Sequence, residues 1–208
     1  MDKFHMLLLA AIPIIFAITL HEVAHGWVAK LFGDDTAYRL GRITLNPLAH
    51  IDIFGTILLP AVLFFSTGVI FGWAKPVPVH FGNLRNPRKD SVYVALAGPM
   101  ANLLMALFWA ILHLSMSLFQ NGEVTNSLAI MAQYGVAINI SLMVFNLIPI
   151  LPLDGGRIAE GLLPYKLAHE YGKLESFGLY IVIILASTGA LGSIVSPIVS
   201  FCSSLLIG

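Results

Sequence analysis

Five stretches of this 208-residue chain contain no Asp, Glu, Lys or Arg: residues 4–21, 53–74, 91–122, 124–153 and 176–208. They are 18, 22, 32, 30 and 33 residues long, and a helix crossing the hydrocarbon core of a bilayer needs about 20 apolar residues. A soluble domain is roughly one quarter charged, because its outer surface must face water. Here only 11% of residues are charged and 58% are apolar, with a mean hydropathy of +0.87. Those values exclude a cytosolic globular enzyme, a nucleic-acid binder and a disordered regulator. The net charge of zero points to no strongly acidic or basic partner. The single cysteine, Cys202, excludes an internal disulfide and a multi-cysteine metal site. The sequence reads as one integral membrane domain, residues 1–208, whose immediate partner is the lipid bilayer.

The helical segments are expected at 5–31 (A), 53–73 (B), 91–119 (C), 126–151 (D) and 176–208 (E). Gly189, Gly192 and Pro197 offer places to divide E into a helix and a shorter arm. Segment A lacks the small-x-small cleavage site of a removable leader. The polar intervals, 32–52, 75–90 and 152–175, are too short for a separate soluble domain, and no internal repeat is visible.

Segment A ends in His21-Glu22-Val23-Ala24-His25. Helical residues four apart lie one turn above each other, so both imidazoles project from one face at a separation that chelates one zinc ion. Glu22 stands beside them, where its carboxylate is placed to hold a water and take its proton. With seven His and five Glu in the chain, chance supplies roughly 0.006 such matches to a motif of known mechanism. Ionisable residues inside a membrane segment are also costly, which makes them functional candidates.

A catalytic zinc takes three protein ligands and leaves one position open. Outside the HEVAH cluster, only Glu123 and Asp154 are acids that close a long uncharged stretch, and only Asp154 lies in a motif-like run. That run is Asn146-Leu147-Ile148-Pro149-Ile150-Leu151-Pro152-Leu153-Asp154-Gly155-Gly156. Its prolines break a helix, and its glycines permit close backbone approach.

A membrane-embedded HExxH followed by N-x-x-P-x-x-x-L-D-G-G closely resembles the site-2 protease family of intramembrane zinc metalloproteases. Ala97-Gly98-Pro99-Met100-Ala101-Asn102 is similar to a further motif of that family. The three elements follow the family's order from residue 21 to residue 156. The resemblance implies one catalytic Zn2+ held by His21, His25 and Asp154, with Glu22 as the catalytic carboxylate. It also implies Asn102 and Asn146 as substrate-positioning or transition-state groups, and a single-span membrane protein as substrate. No PDZ or CBS domain is recognised, so the nearest match is the compact subgroup.

Placing His21, His25 and Asp154 around one ion constrains topology. Both contributing helix ends are C-terminal, so A and D must run parallel, and one of B and C must not cross fully. Segment B, with Pro60 inside and Gly55, Gly68 and Gly72 around it, is the better suspect. If all of A to D span, Lys and Arg divide 8 against 3 between the two sides; if B is re-entrant they divide 10 against 1. The positive-inside rule prefers the second arrangement. It puts the site toward the cytoplasmic half of a cell membrane.

In residues 75–79, Pro76 and Pro78 blank one strand edge and leave the other able to pair, with residues 38–45 as the natural partner, the alternative being a polyproline-like connector. The expected architecture is therefore all-α and polytopic. It has three spanning helices bearing the zinc site, one re-entrant segment, one or more C-terminal helices and a small membrane-associated β-hairpin. His50, His80, His113 and His169 read as interfacial, packing or loop residues rather than ligands. Two other classes compete: a membrane metal transporter, which needs a continuous polar path that these segments lack, and a membrane HExxH protease of the prenyl-protein type. The latter usually takes a glutamate as third ligand, but Glu160, Glu170 and Glu175 all lie in one polar loop.

Overall fold

Backbone groups immersed in hydrocarbon must satisfy one another within the segment, so uncharged runs of this length fold as helices. The computed structural model describes residues 3–59, 62, 72–118 and 122–208, and every regular element among them is helical. In chain order these are α1 (Lys3–Leu31), α2 (Thr36–Arg39), α3 (Pro87–Leu118), α4 (Glu123–Asn146), α5 (Asp154–Leu162), α6 (Tyr165–Gly172), α7 (Glu175–Ser187) and α8 (Ala190–Ile207). Short helical turns at Pro47–His50, Ile53–Leu58 and Phe81–Asn83 punctuate the stretch between α2 and α3. Four described helices carry spans long and apolar enough to cross a membrane, at Leu8–Leu31, Pro87–Met116, Glu123–Asn146 and Ala190–Ile207.

Side-chain contacts fix the helix directions. Residues 94 and 102 of α3 meet residues 25 and 21 of α1, through His25–Val94 (2.7 Å) and His21–Asn102 (2.6 Å), so these two helices are antiparallel. Asn102 meets Asn139 of α4 at 3.0 Å and His113 meets Ala129 at 3.2 Å, so α3 and α4 are antiparallel as well. Hence α1 and α4 run parallel, as the ligand argument requires. The chain leaves α1 and starts α3 at the same end of the bundle, so the interval between them makes no net crossing.

Segment B agrees with that requirement at both of its ends. The Trp73 N–H donates to the Gly55 carbonyl at 3.0 Å, and the Thr56 hydroxyl donates to the Trp73 carbonyl at 2.8 Å. The chain thus returns to where it left. The path expected for the rest of segment B, residues 60, 61 and 63–71, lies outside the described residues.

Two boundaries differ most from expectation. α3 begins at Pro87 rather than at 91, because Asn86 and Asp90 cap it reciprocally: the Asn86 N–H donates to the Asp90 carboxylate at 2.7 Å and the Asp90 N–H to the Asn86 carbonyl at 2.8 Å. Proline at the first helical position suits this start. α4 stops at Asn146 rather than 151, before the two prolines. Segment E is divided at one of the places its sequence offered, with Gly189 at a φ of +76° between α7 and α8.

The β-hairpin expectation is corrected: no strand occurs among the described residues. Residues 36–39 are helical, and the pairing edge of residues 75–79 is spent elsewhere. The Lys75 N–H donates to the His50 carbonyl at 2.9 Å and the Val77 N–H to the Glu22 carboxylate at 2.8 Å. Residues 38–45 meet the segment through a side chain instead, Arg42, which donates to the Lys75 and Pro76 carbonyls.

The interior of the bundle is formed by Ala106, Trp109 and Ala110 of α3 with Ala132, Val136 and Ile140 of α4, and α8 packs Val199, Cys202 and Leu206 against them. Phe16, Leu104, Phe108 and Ile111 face outward. In water that surface is a liability, whereas in lipid it is the required exterior.

The loops at the end of α1 are locked by a fully buried carboxylate, Asp34. It accepts the Thr36 N–H (3.1 Å), the Thr36 hydroxyl (2.5 Å), the Asn83 amide (3.1 Å) and the His80 N–H (2.7 Å). Burial alone raises its pKa, but the hydrogen bonds from Thr36, His80 and Asn83 outweigh it and hold the group below its ordinary 3.8. A depressed folded-state pKa contributes stability above the unfolded value and loses it as pH falls through the folded one. Asp34→Asn, whose amide opposes one of these donors, is expected to cost about 1–3 kcal/mol near neutral pH. The gap between variant and wild type should narrow below pH 3.8 in thermal unfolding of the detergent-solubilised protein.

Candidate metal centre

His21 and His25 occupy successive turns of α1, and α3 crosses directly over them at Gly98. A Cβ placed there would lie 2.3 Å from His25 Nε2 and 2.5 Å from His21 Cε1, so only glycine lets α3 pack against the rings. Asp154 opens α5 after the chain doubles back through residues 147–153. Gly155 and Gly156 allow that fold-back, since a Cβ on either would collide with the backbone of Leu147 or Leu151. Two links hold α5 in place. Arg157 pairs with Glu175 at the start of α7, and Arg88 of α3 donates to the Gly161 carbonyl at 3.1 Å.

These elements bring the three predicted ligands together. The His21 and His25 Nε2 atoms are 3.1 Å apart. Asp154 places Oδ2 at 3.3 Å from His21 Nε2 and Oδ1 at 3.4 Å from His25 Nε2. Taking one atom from each residue, all three ligand atoms lie within 4.8 Å of one another. All three groups are largely shielded from solvent.

The far nitrogens decide the protonation. His25 Nδ1 faces the Val94 carbonyl, which only accepts, so Nδ1 carries the proton. His21 Nδ1 faces Asn102 Oδ1, and the orientation of that amide is also fixed. Asn102 Nδ2 donates to the Ala17 carbonyl at 3.2 Å and to Asn139 Oδ1 at 3.0 Å, while Asn139 Nδ2 donates to the Gly135 carbonyl at 2.8 Å. In the neutral rings that a metal requires, this leaves both Nε2 lone pairs pointing at each other and at a carboxylate. Asp154 Oδ2 is buried without a hydrogen-bond donor. With both rings neutral, three converging electron pairs are mutually repulsive and costly to bury. A cation between them removes the conflict. Tetrahedral bonds of roughly 2.0–2.1 Å separate ligand atoms by about 3.3 Å, close to the edges observed. The residues fit a zinc ion.

Glu22 stands on α1 between the two histidines in sequence, and its Oε2 accepts the Val77 N–H at 2.8 Å. The two asparagines behave differently from each other. Asn102 is fully buried, with its oxygen on His21 and both amide protons on protein acceptors. Its oxygen meets the His21 ring, and its amide ties α3 to α1 and α4. Asn146 is the last residue of α4 and half-buried, its amide donating back to the Leu142 carbonyl at 3.0 Å. It makes no described hydrogen bond to His21, His25 or Asp154. Asn139, fully buried behind Asn102, was not foreseen from the sequence. Its signal was available, as one of the few amides within an apolar span.

Comparison with known proteins agrees with the geometry. A model of the family described as "Peptidase family M50" matches residues 9–123 and 115–188. The chain is 38% identical over 203 residues to the "Putative zinc metalloprotease YwhC" of Bacillus subtilis, a match covering 94% of this chain and 89% of that one. It is 30% identical over 186 residues to the "Putative zinc metalloprotease Rip2" of Mycolicibacterium smegmatis, covering 85% of this chain and 66% of that one. It is 24% identical over 161 residues to the "Zinc metalloprotease MJ0392" of Methanocaldococcus jannaschii, covering 77% of this chain and 34% of that one. No solved structure matches the chain.

Proposed function

The chain belongs to peptidase family M50, the site-2 proteases, and from that premise we propose that it is an intramembrane zinc metalloprotease cutting single-span membrane proteins within or near their transmembrane helices. One observation carries the reading: two imidazole nitrogens and an unpartnered carboxylate oxygen converge within hydrogen-bond distances on a bundle of membrane-length helices. His21, His25 and Asp154 hold the ion. When bound, zinc supplies a Lewis acid that polarises the scissile carbonyl and lowers the pKa of water to about 7. Glu22 takes the proton of the attacking water and returns it to the leaving amine. Asn146, at the mouth of the break between α4 and α5, is the asparagine placed to hold an extended substrate backbone.

Helix directions put ten of the eleven Lys and Arg residues, all but Lys3, at the end of the bundle that bears the site. The positive-inside rule makes that end cytoplasmic. Cysteines introduced at Arg88 and Lys89 should react with an impermeant thiol reagent from the cytoplasmic side alone.

Asn102→Leu, which strips the acceptor from His21, is expected to weaken metal binding by roughly 10–100-fold, and Asn102→Asp to retain it. Competition against a chelator measures both. The reading as a whole is tested by comparing membrane-protein N-termini in cells expressing wild type or Glu22→Gln. New N-termini inside hydrophobic segments, present with wild type alone, are expected. Indistinguishable N-termini from the two proteins would contradict it.

A further inference from the structure

The Pro76-Val77-Pro78 run has one backbone donor, because proline has no N–H. That donor, on Val77, goes to Glu22 Oε2 at 2.8 Å across 55 residues of sequence. The segment bearing it is held from several directions. The Lys75 N–H donates to the His50 carbonyl at 2.9 Å. Arg42 Nη2 reaches the Lys75 and Pro76 carbonyls at 3.1 and 3.3 Å. The Val77 side chain is buried against α1 at Gly26, where a Cβ would lie 2.9 Å from Val77 Cγ1 and 3.1 Å from Ile43 Cγ1. Gly26 lies one helical turn after Glu22, so the segment lies along the face of α1 that carries the carboxylate. Lys75 and Val77 each precede a proline, which restricts both to extended backbone.

We infer that the backbone N–H of Val77 is the positioning group for Glu22, fixing the carboxylate with Oε2 occupied and Oε1 as the oxygen that handles the proton. This rests on the reading of Glu22 as the catalytic carboxylate. A glutamate has three rotatable bonds, and an untethered one presents either oxygen in many directions. A charge-assisted hydrogen bond from a rigid backbone removes that freedom. A backbone donor also neither titrates nor rotates away, unlike a lysine or serine in the same place. Among the described residues Oε1 has no hydrogen bond. In the reaction the water O–H bond breaks with its proton passing to Oε1, while the water oxygen bonds to the carbonyl carbon. As the C–N bond breaks, that proton moves to the leaving nitrogen, and Glu22 ends ionised as it began.

The prolines then have a function beyond blanking a strand edge. They leave Val77 as the sole donor of the run and keep it extended, which is the role that the unformed hairpin left unexplained.

Val77→Pro deletes the N–H and, standing before Pro78, stays in extended backbone, and Val77→Ala trims the packing while keeping the N–H. The kcat of Val77→Pro is expected to fall roughly 10–100-fold below that of Val77→Ala, with KM and bound zinc the same in both. Equal kcat values for the two variants would overturn the inference. A second measurement needs no substrate. The sequence holds two Pro-Val pairs, Pro76-Val77 and Pro78-Val79, so labelling proline carbonyl carbons and valine nitrogens gives two amide cross-peaks. On Glu22→Ala the Val77 proton is expected to move upfield while Val79 holds its place. An unmoved Val77 proton would overturn the inference whatever the outcome for proteolysis, and a wild type that cuts nothing while Val77 moves would overturn only the protease reading.

Discussion

Glu22→Gln is expected to bind zinc as the wild type does and to lose roughly 10²–10⁴-fold in kcat, the usual contribution of general acid–base catalysis. The substitution is nearly isosteric, and the amide oxygen still accepts the Val77 N–H, so the packing of α1 against residues 75–79 is preserved. What disappears is a base able to take a proton and give it back. The two histidines and Asp154 are untouched, which is why metal content and activity should separate. Zinc stoichiometry by elemental analysis, set beside cleavage of a membrane substrate, checks both halves. A variant that loses zinc in proportion to activity would show that Glu22 acts through the ion rather than on the proton.

Asp154→Ala should behave in the opposite manner, losing the ion and the activity together. The Asp154 oxygens lie 3.3 and 3.4 Å from the two imidazole nitrogens, and no other described acid completes a cluster with His21 and His25. Dividing the roughly 10–16 kcal/mol of a four-ligand zinc site among its ligands gives about 3–4 kcal/mol each, or roughly 10²–10³-fold in affinity. The variant should therefore come out of purification largely free of zinc at chelator concentrations that the wild type withstands. Its fold should persist, because α5 is also tied by Arg157 to Glu175 and by Gly161 to Arg88. Circular dichroism and thermal unfolding distinguish loss of the ion from loss of the bundle.

The parts of this site visible in the sequence are those in which covalent spacing does the work. His21 and His25 share a helix face at any position in a fold, and Asp154 stands at a helix break that Pro149, Pro152 and two glycines enforce. Parallel α1 and α4 followed from requiring one ion to touch both. Long-range partnerships were less accessible. Asn102 was noticed for its motif, but its commitment to His21, Ala17 and Asn139 depends on three helices meeting at one level, which no local pattern encodes. Residues 75–79 read as a strand with one blank edge, and no strand forms there. Their other edge found a carbonyl and a carboxylate instead of a strand, and the sequence contains no signal that ranks those acceptors. The α3 start at Pro87 was missed for a different reason. Charged residues were used to mark the limit of the membrane, and a helix whose first turn stands in the interfacial region crosses that limit without breaking.

The central claim is that one zinc ion is held jointly by two imidazoles from the first helix and a carboxylate from 129 residues further along. Zinc-edge X-ray absorption of the purified wild type addresses it most directly. The expected spectrum has an all nitrogen and oxygen shell at about 2.0–2.1 Å, with the outer scattering of two imidazoles, and a shell altered or lost in Asp154→Ala. A stoichiometric ion with fewer than two imidazoles, or one whose shell is unchanged by Asp154→Ala, would contradict it.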